Sequence, residues 1–146
     1  MFKIKEDVLK EYARLAVISG VNVQKGQPLV IQAPVEAYEL VRECAKVAYE
    51  VGSSRVYVDY SDEVRTRLDF ENVDTEILSE VPNWTIDKLQ YNIDHDYCRL
   101  AIIADDPDLL NGIDSEKIKQ VQLSRMKATN KFRYYSMNNV GQWSII

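Results

Sequence analysis

Asp59 and Asp62 follow one apolar run of the chain, and Asp105 and Asp106 follow another. Carboxylates gathered at the ends of neighbouring strands could line a pocket for a cation or an amine. The competing role is local. An aspartate at such a place starts the next turn or helix, because its oxygens accept from free backbone N–H groups and suit the positive helix start. Turn and cap residues dominate these positions in most domains, so the local role takes precedence. His95, in Asn92-Ile93-Asp94-His95-Asp96-Tyr97, is the only histidine. Between carboxylates it could ligate a metal or act as a base. It falls at the exposed end of a predicted helix, where a solvated imidazole is the commoner outcome. A single histidine cannot build a His-based zinc site, and an all-carboxylate site has no diagnostic spacing here.

Other chemistries are missing their signatures. There is no Gly-x-Ser-x-Gly, no phosphate-cradling Gly-x-x-x-x-Gly-Lys and no Gly-x-Gly-x-x-Gly after a strand. Cys44 and Cys98 both sit in apolar contexts, as free buried thiols do, which suits a reducing cytoplasm. Lys117, Lys119, Arg125, Lys127, Lys131 and Arg133 make one helix basic. They straddle several sides of it, so a solvated face takes precedence over a surface for an acidic partner or nucleic acid. Trp84, Tyr134, Tyr135 and Trp143 could stack on a ligand, although large aromatics more often serve core or interface.

The elements that would position these residues alternate. A helix is predicted over residues 6 to 19, with Val8, Tyr12, Leu15 and Ala16 on one stripe and Gly20 as its stop. Strands are predicted at 29–33, 55–60 and 99–104, the last apolar enough to be covered on both faces. Ala37, Leu40, Val41, Cys44, Ala48 and Val51 form the apolar face of a second helix closed by Gly52. Ser61-Asp62-Glu63 caps a short helix towards Phe70, and a bent helical connection follows over 71–81. A helix from Pro82-Asn83-Trp84 turns Ile86, Leu89 and Ile93 inward, and a long helix after Asp114 buries Ile118, Val121, Ala128 and Phe132. A final strand begins near Trp143. This alternation predicts βαβ units, hence an α/β three-layer domain with a mostly parallel sheet flanked by helices.

With 146 residues, 46% hydrophobic and 28% charged, the chain can bury its own core. Its net charge of -5 argues against a nucleic-acid-binding body. No stretch reaches the roughly 20 apolar residues of a membrane span, and the N-terminus has no apolar signal core. The last residues, Gln142-Trp143-Ser144-Ile145-Ile146, are bulky and β-prone and call for burial on a sheet. The expectation is a domain truncated before a second, catalytic domain.

Several segments together resemble the aminopeptidase T/aminopeptidase S (PepS) family of dinuclear metallo-aminopeptidases. They are Tyr12-Ala13-Arg14-Leu15-Ala16-Val17, Gly20-Val21-Asn22-Val23-Gln24-Lys25-Gly26-Gln27, Leu29-Val30-Ile31 and Ala33-Pro34-Val35-Glu36-Ala37. They continue with Tyr60-Ser61-Asp62-Glu63, Thr66-Arg67-Leu68, Asp106-Pro107-Asp108-Leu109-Leu110, Met137-Asn138-Asn139 and Trp143-Ser144. Each is weak alone, but their order and spacing cover nearly the whole chain. The resemblance implies that residues 1–146 are the N-terminal α/β domain of a two-domain cytoplasmic exopeptidase. That enzyme would release N-terminal amino acids from peptide substrates and act as a homodimer. It further implies a pair of divalent ions, zinc or cobalt, held entirely by the second domain. No catalytic, cofactor-binding or metal-ligating role therefore carries over to any residue here, and this portion alone is expected to bind no metal and to be inactive. The alternative is a free-standing α/β module that binds a small ligand or a protein without catalysis.

Overall fold

A computed structural model describes residues 5–137 and 141–146. The described residues divide into two compact units: 5–61 with 95–104 and 141–146, and 62–94 with 105–137.

The first unit is built on a four-stranded sheet. β1 (Leu29–Pro34), β2 (Val56–Ser61), β3 (Cys98–Ala101) and β4 (Trp143–Ile145) lie in the order β2-β1-β3-β4. Every pairing is parallel, so the α/β class and parallel sheet agree with the alternation in the sequence. Registry places Leu29 beside Val56 and Cys98, and Ile31 beside Val58 and Leu100. Because side chains alternate along a strand, these residues share one face. That face is the core, where Leu29, Ile31, Leu100 and Cys98 are fully buried with Val17, Val41 and Cys44.

Helix α2 (Tyr38–Glu50) contributes Val41, Cys44, Val47 and Ala48 to this core. Its end follows the sequence signal. Gly52 has φ +95°, a conformation open to glycine. Its N–H donates to Tyr49 O at 3.1 Å, and the Ser53 N–H donates to Ala48 O at 2.9 Å. This pair of bonds satisfies carbonyls the helix leaves open.

Helix α1 (Glu6–Arg14) departs from expectation. It continues without a break as a π-helix over Leu15–Val21 and passes through Gly20 rather than stopping there. The turn out of it is made by Asn22, with φ 56°. Its buried residues are Ala13, Ala16, Val17 and Val21, while Val8, Tyr12 and Leu15 are exposed. Small side chains face inward because this helix packs on α2 and on the core at once. Gly20 has a different job from the one expected. A Cβ there would lie 2.9 Å from Ser144 Oγ, so the glycine lets the π-helix approach β4. β3 is also shorter than expected, although its ladder continues: Ile102 N–H donates to Gln32 O at 2.8 Å and Ile103 N–H to Ile146 O at 2.9 Å. Ile103 itself is exposed, so the strand is not covered on both faces throughout.

The second unit is helical: α3 (Glu63–Asn72), α4 (Thr75–Ser79), α5 (Asn83–Asp94) and α6 (Ser115–Met137). The bent connection expected over 71–81 is the last residues of α3, a bend at Val73, and α4. α6 packs on α4 and α5, and Phe70, Val121 and Phe132 are buried.

Candidate functional site

The strand-end carboxylates resolve into local roles. Asp62 is the N-cap of α3, accepting from the N–H groups of Val64 at 3.0 Å and Arg65 at 3.3 Å. Asp106 holds a turn rather than a helix start. Its Oδ1 accepts from Asp108 N–H at 2.9 Å, while its own N–H donates to Glu63 Oε1 at 2.9 Å. Asp108 Oδ1 accepts from Asn111 Nδ2 at 3.1 Å, and Asp114 Oδ1 from Glu116 N–H at 3.1 Å. Asp105 is exposed and Asp59 half-buried. His95 lies exposed in the turn after α5.

In parallel sheets, ligands favour the carboxyl ends of strands where the winding direction reverses. Here β2 lies on one side of β1 and β3 on the other, so the reversal falls between β1 and β3. Arg99 and Gln32 meet there, Arg99 Nη1 donating to Gln32 Oε1 at 3.2 Å. Registry puts both on the sheet face opposite the core, with Asp59 beside Gln32. Burial lowers the Arg99 pKa, yet a guanidinium keeps its charge under any working condition. This pair could orient a carboxylate or amide, and it contains neither nucleophile nor base. The sequence did carry a signal for it: Arg99 is the one charge in Arg99-Leu100-Ala101-Ile102-Ile103-Ala104.

Other singular polar residues hold backbone. Gln27 is 7% exposed. It accepts from Gln24 N–H at 3.1 Å and donates to Gln142 Oε1 at 2.7 Å and to Asp96 O at 3.3 Å. Gln142 in turn donates to Asn22 O at 2.6 Å and Val21 O at 3.3 Å. Two amides thereby tie the end of the π-helix, the turn before β1 and the entry to β4. In the helical unit Arg67 donates through Nη1 to the carbonyls of Leu109 at 2.6 Å and Asn111 at 3.0 Å, and through Nε to Glu71 Oε1 at 2.7 Å. Two of the segments that carry the resemblance, Thr66-Arg67-Leu68 and Asp106-Pro107-Asp108-Leu109-Leu110, thus meet in space. Their joint role is to fix a loop. Cys44 and Cys98 are buried and free, and burial pushes both thiols up to about 12. Neither is a nucleophile near neutral pH.

Comparison with known proteins gives these roles their setting. Residues 5–146 match the model of the thermophilic metalloprotease (M29) family. Aminopeptidase 2 of Geobacillus stearothermophilus is 37% identical over 141 residues, covering 97% of this chain and 34% of that protein. Aminopeptidase T of Thermus thermophilus is 30% identical over 138 residues, covering 94% of this chain and 34% of the relative. The solved structure of wild-type AmpT from Thermus thermophilus superposes with a TM-score of 0.90 at 29% identity, covering 98% of this chain and 36% of that one. The chain therefore spans about a third of the length of the curated relatives it matches.

A metalloprotease uses a metal ion, and that need can be set against the donors present. Among the described residues no group of three or more His, Cys, Asp or Glu side chains is placed to hold one. Asp62, Asp106 and Asp114 direct oxygens at backbone N–H groups instead. This donor set does not fit a resident metal ion. The match along residues 5–146, the named relatives and the shared fold agree with one another: the chain belongs to the thermophilic metalloprotease (M29) family.

Proposed function

We propose that residues 1–146 are the N-terminal domain of a two-domain, metal-dependent aminopeptidase that releases N-terminal amino acids from peptides. One observation carries this reading. The chain matches a metalloprotease family along almost its whole length, yet accounts for only 34% of relatives named aminopeptidases. The pair of divalent ions, zinc or cobalt, would be held by residues outside 1–146, in keeping with the donor arrangement described above. This domain's work would then be architectural: walling the substrate chamber, limiting access to short or unfolded peptides, and contributing to a homodimer. Buried free thiols at Cys44 and Cys98 suit a reducing cytoplasm. No helix of the described residues is long and apolar enough to cross a membrane.

The direct test is to express the complete reading frame that contains this sequence and assay it on an aminoacyl-p-nitroanilide. Hydrolysis abolished by a chelator and restored by zinc or cobalt is the expected result. A complete polypeptide that ends at Ile146, or a longer one that is metal-loaded and inert towards every aminoacyl substrate, would remove the reading.

A further inference from the structure

Asn111-Gly112 is the one Asn-Gly pair in the sequence, and it lies exposed in the turn that precedes α6. Such a pair is open to attack from within. The backbone nitrogen of the second residue can close on Cγ of the first, and the missing Cβ of glycine leaves that approach unobstructed. Gly112 has φ +84°. Its N–H donates to no described residue, whereas the N–H groups of Leu109, Asn111 and Ile113 donate to the carbonyls of Asp106, Asp108 and Leu110. The nitrogen that must attack is therefore the one the turn leaves unengaged.

Arg67 supplies what an isolated Asn-Gly pair lacks. Its Nη1 donates to Asn111 O at 3.0 Å, and its Nη2 lies 4.0 Å from the place a Cβ on Gly112 would take. Asn111 O belongs to the same peptide group as the Gly112 nitrogen. When that nitrogen gives up its proton the charge is shared with this oxygen, so a guanidinium on the oxygen favours the nucleophilic anion. The same contact acts again once the succinimide ring has closed. Water that adds at the carbonyl derived from Asn111 C leaves isoaspartate, and the charge developing on that oxygen faces Arg67. Water that adds at Cγ leaves aspartate, whose carboxylate would lie where Asn111 Nδ2 donates to Asp108 Oδ1 at 3.1 Å. Like charges oppose that outcome. We propose that Asn111-Gly112 is a self-modification site, at which Gly112 N displaces ammonia from Asn111 Cγ and Arg67 and Asp108 direct the reopening to isoaspartate. The Gly112 N–Cγ bond forms, the Cγ–Nδ2 bond breaks, and the Gly112 proton leaves with Nδ2 as ammonia. One water then cleaves the bond between Asn111 C and Gly112 N, its hydroxyl going to carbon and its proton to nitrogen. The reaction needs water alone, so no other molecule has to cover or complete the site.

The test incubates the 146-residue chain at pH 8 and maps its peptides over time by mass spectrometry, with electron-transfer fragmentation to separate isoaspartate from aspartate. Asn111 is expected to convert before any other asparagine, and chiefly to isoaspartate. A synthetic peptide of residues 105–116 presents the same pair without Arg67, and should give a smaller isoaspartate fraction. R67Q should slow conversion in the folded chain about ten-fold, the effect of one pKa unit at the attacking N–H, and bring the isoaspartate fraction down to that of the peptide. D108N keeps the shape of the side chain and removes the opposing carboxylate, so it should raise the aspartate fraction at an unchanged rate. Circular dichroism establishes that each variant is folded, and if R67Q is not, D108N decides the matter. Conversion of other asparagines while Asn111 stays intact overturns the proposal. So does an isoaspartate fraction in the native chain equal to that of the peptide, an unchanged or faster rate in folded R67Q, or an unchanged product ratio in D108N.

Discussion

Gln27 is a buried polar side chain, and the two hydrogen bonds it donates join segments far apart in sequence. Replacing it with alanine leaves the Gln24 N–H and Gln142 Oε1 without their partner. Gln24 is exposed and Gln142 half-buried, so water can reach both groups and each lost bond costs about 0.5–1.5 kcal/mol. Gln27→Ala should therefore lower the urea midpoint at unchanged slope by roughly that amount, and loosen the amides of β4 in hydrogen exchange. The thiols of Cys44 and Cys98 give a second, independent readout. Burial raises both from 9.0 to about 12, so the fold keeps their protons while the unfolded chain loses them above pH 9. Stability from this source is complete below pH 9 and falls as pH rises towards 12, by about 1.4 kcal/mol per pH unit for each thiol. Urea titrations at pH 8, 9 and 10 should show that decline, and Cys44→Ala/Cys98→Ala should flatten it. An identical pH slope in the double variant would mean the thiols are not protected by the core.

The elements differ in how far local signals determine them. Helix α2 could be read directly: its apolar period, its glycine terminator and its burial agree, because one regular helix lies on one sheet face. The opening helix could not. A 3.6-residue period selects Val8, Tyr12 and Leu15, but the π-helix over Leu15–Val21 changes the phase and close packing selects the alanines. Asp62 and Asp114 were legible as caps because capping is local. The Gln27–Gln142 bond was not, since only sheet register brings together residues 115 positions apart. Arg99 with Gln32 was hidden for the same reason, although a lone charge in an apolar strand marked the place. Gly20 provides the test of this level of structure. Gly20→Ala gains helix propensity of about 1 kcal/mol, but its new Cβ meets Ser144 Oγ at 2.9 Å. The gain should appear in full only when Ser144→Gly is added, giving a coupling of about 0.5 kcal/mol or more in a double-mutant cycle. Strict additivity would show that β4 does not press on the π-helix.

For the molecule as a unit, the division of labour is the issue. Several polar side chains hold backbone: Asp62 and Asp114 at helix starts, Arg67 at the 106–112 loop, Gln27 at Asp96 and Gln142 at the end of the π-helix. Under the proposed function these anchors belong to a supporting domain, and the reaction to residues outside 1–146. The most direct measurement takes the purified 146-residue chain, titrates it with zinc and with cobalt in a calorimeter, and then offers it an aminoacyl-p-nitroanilide. Neither stoichiometric uptake of metal nor release of p-nitroaniline above the protein-free blank is the expected result. Metal-dependent turnover by this chain alone would contradict it.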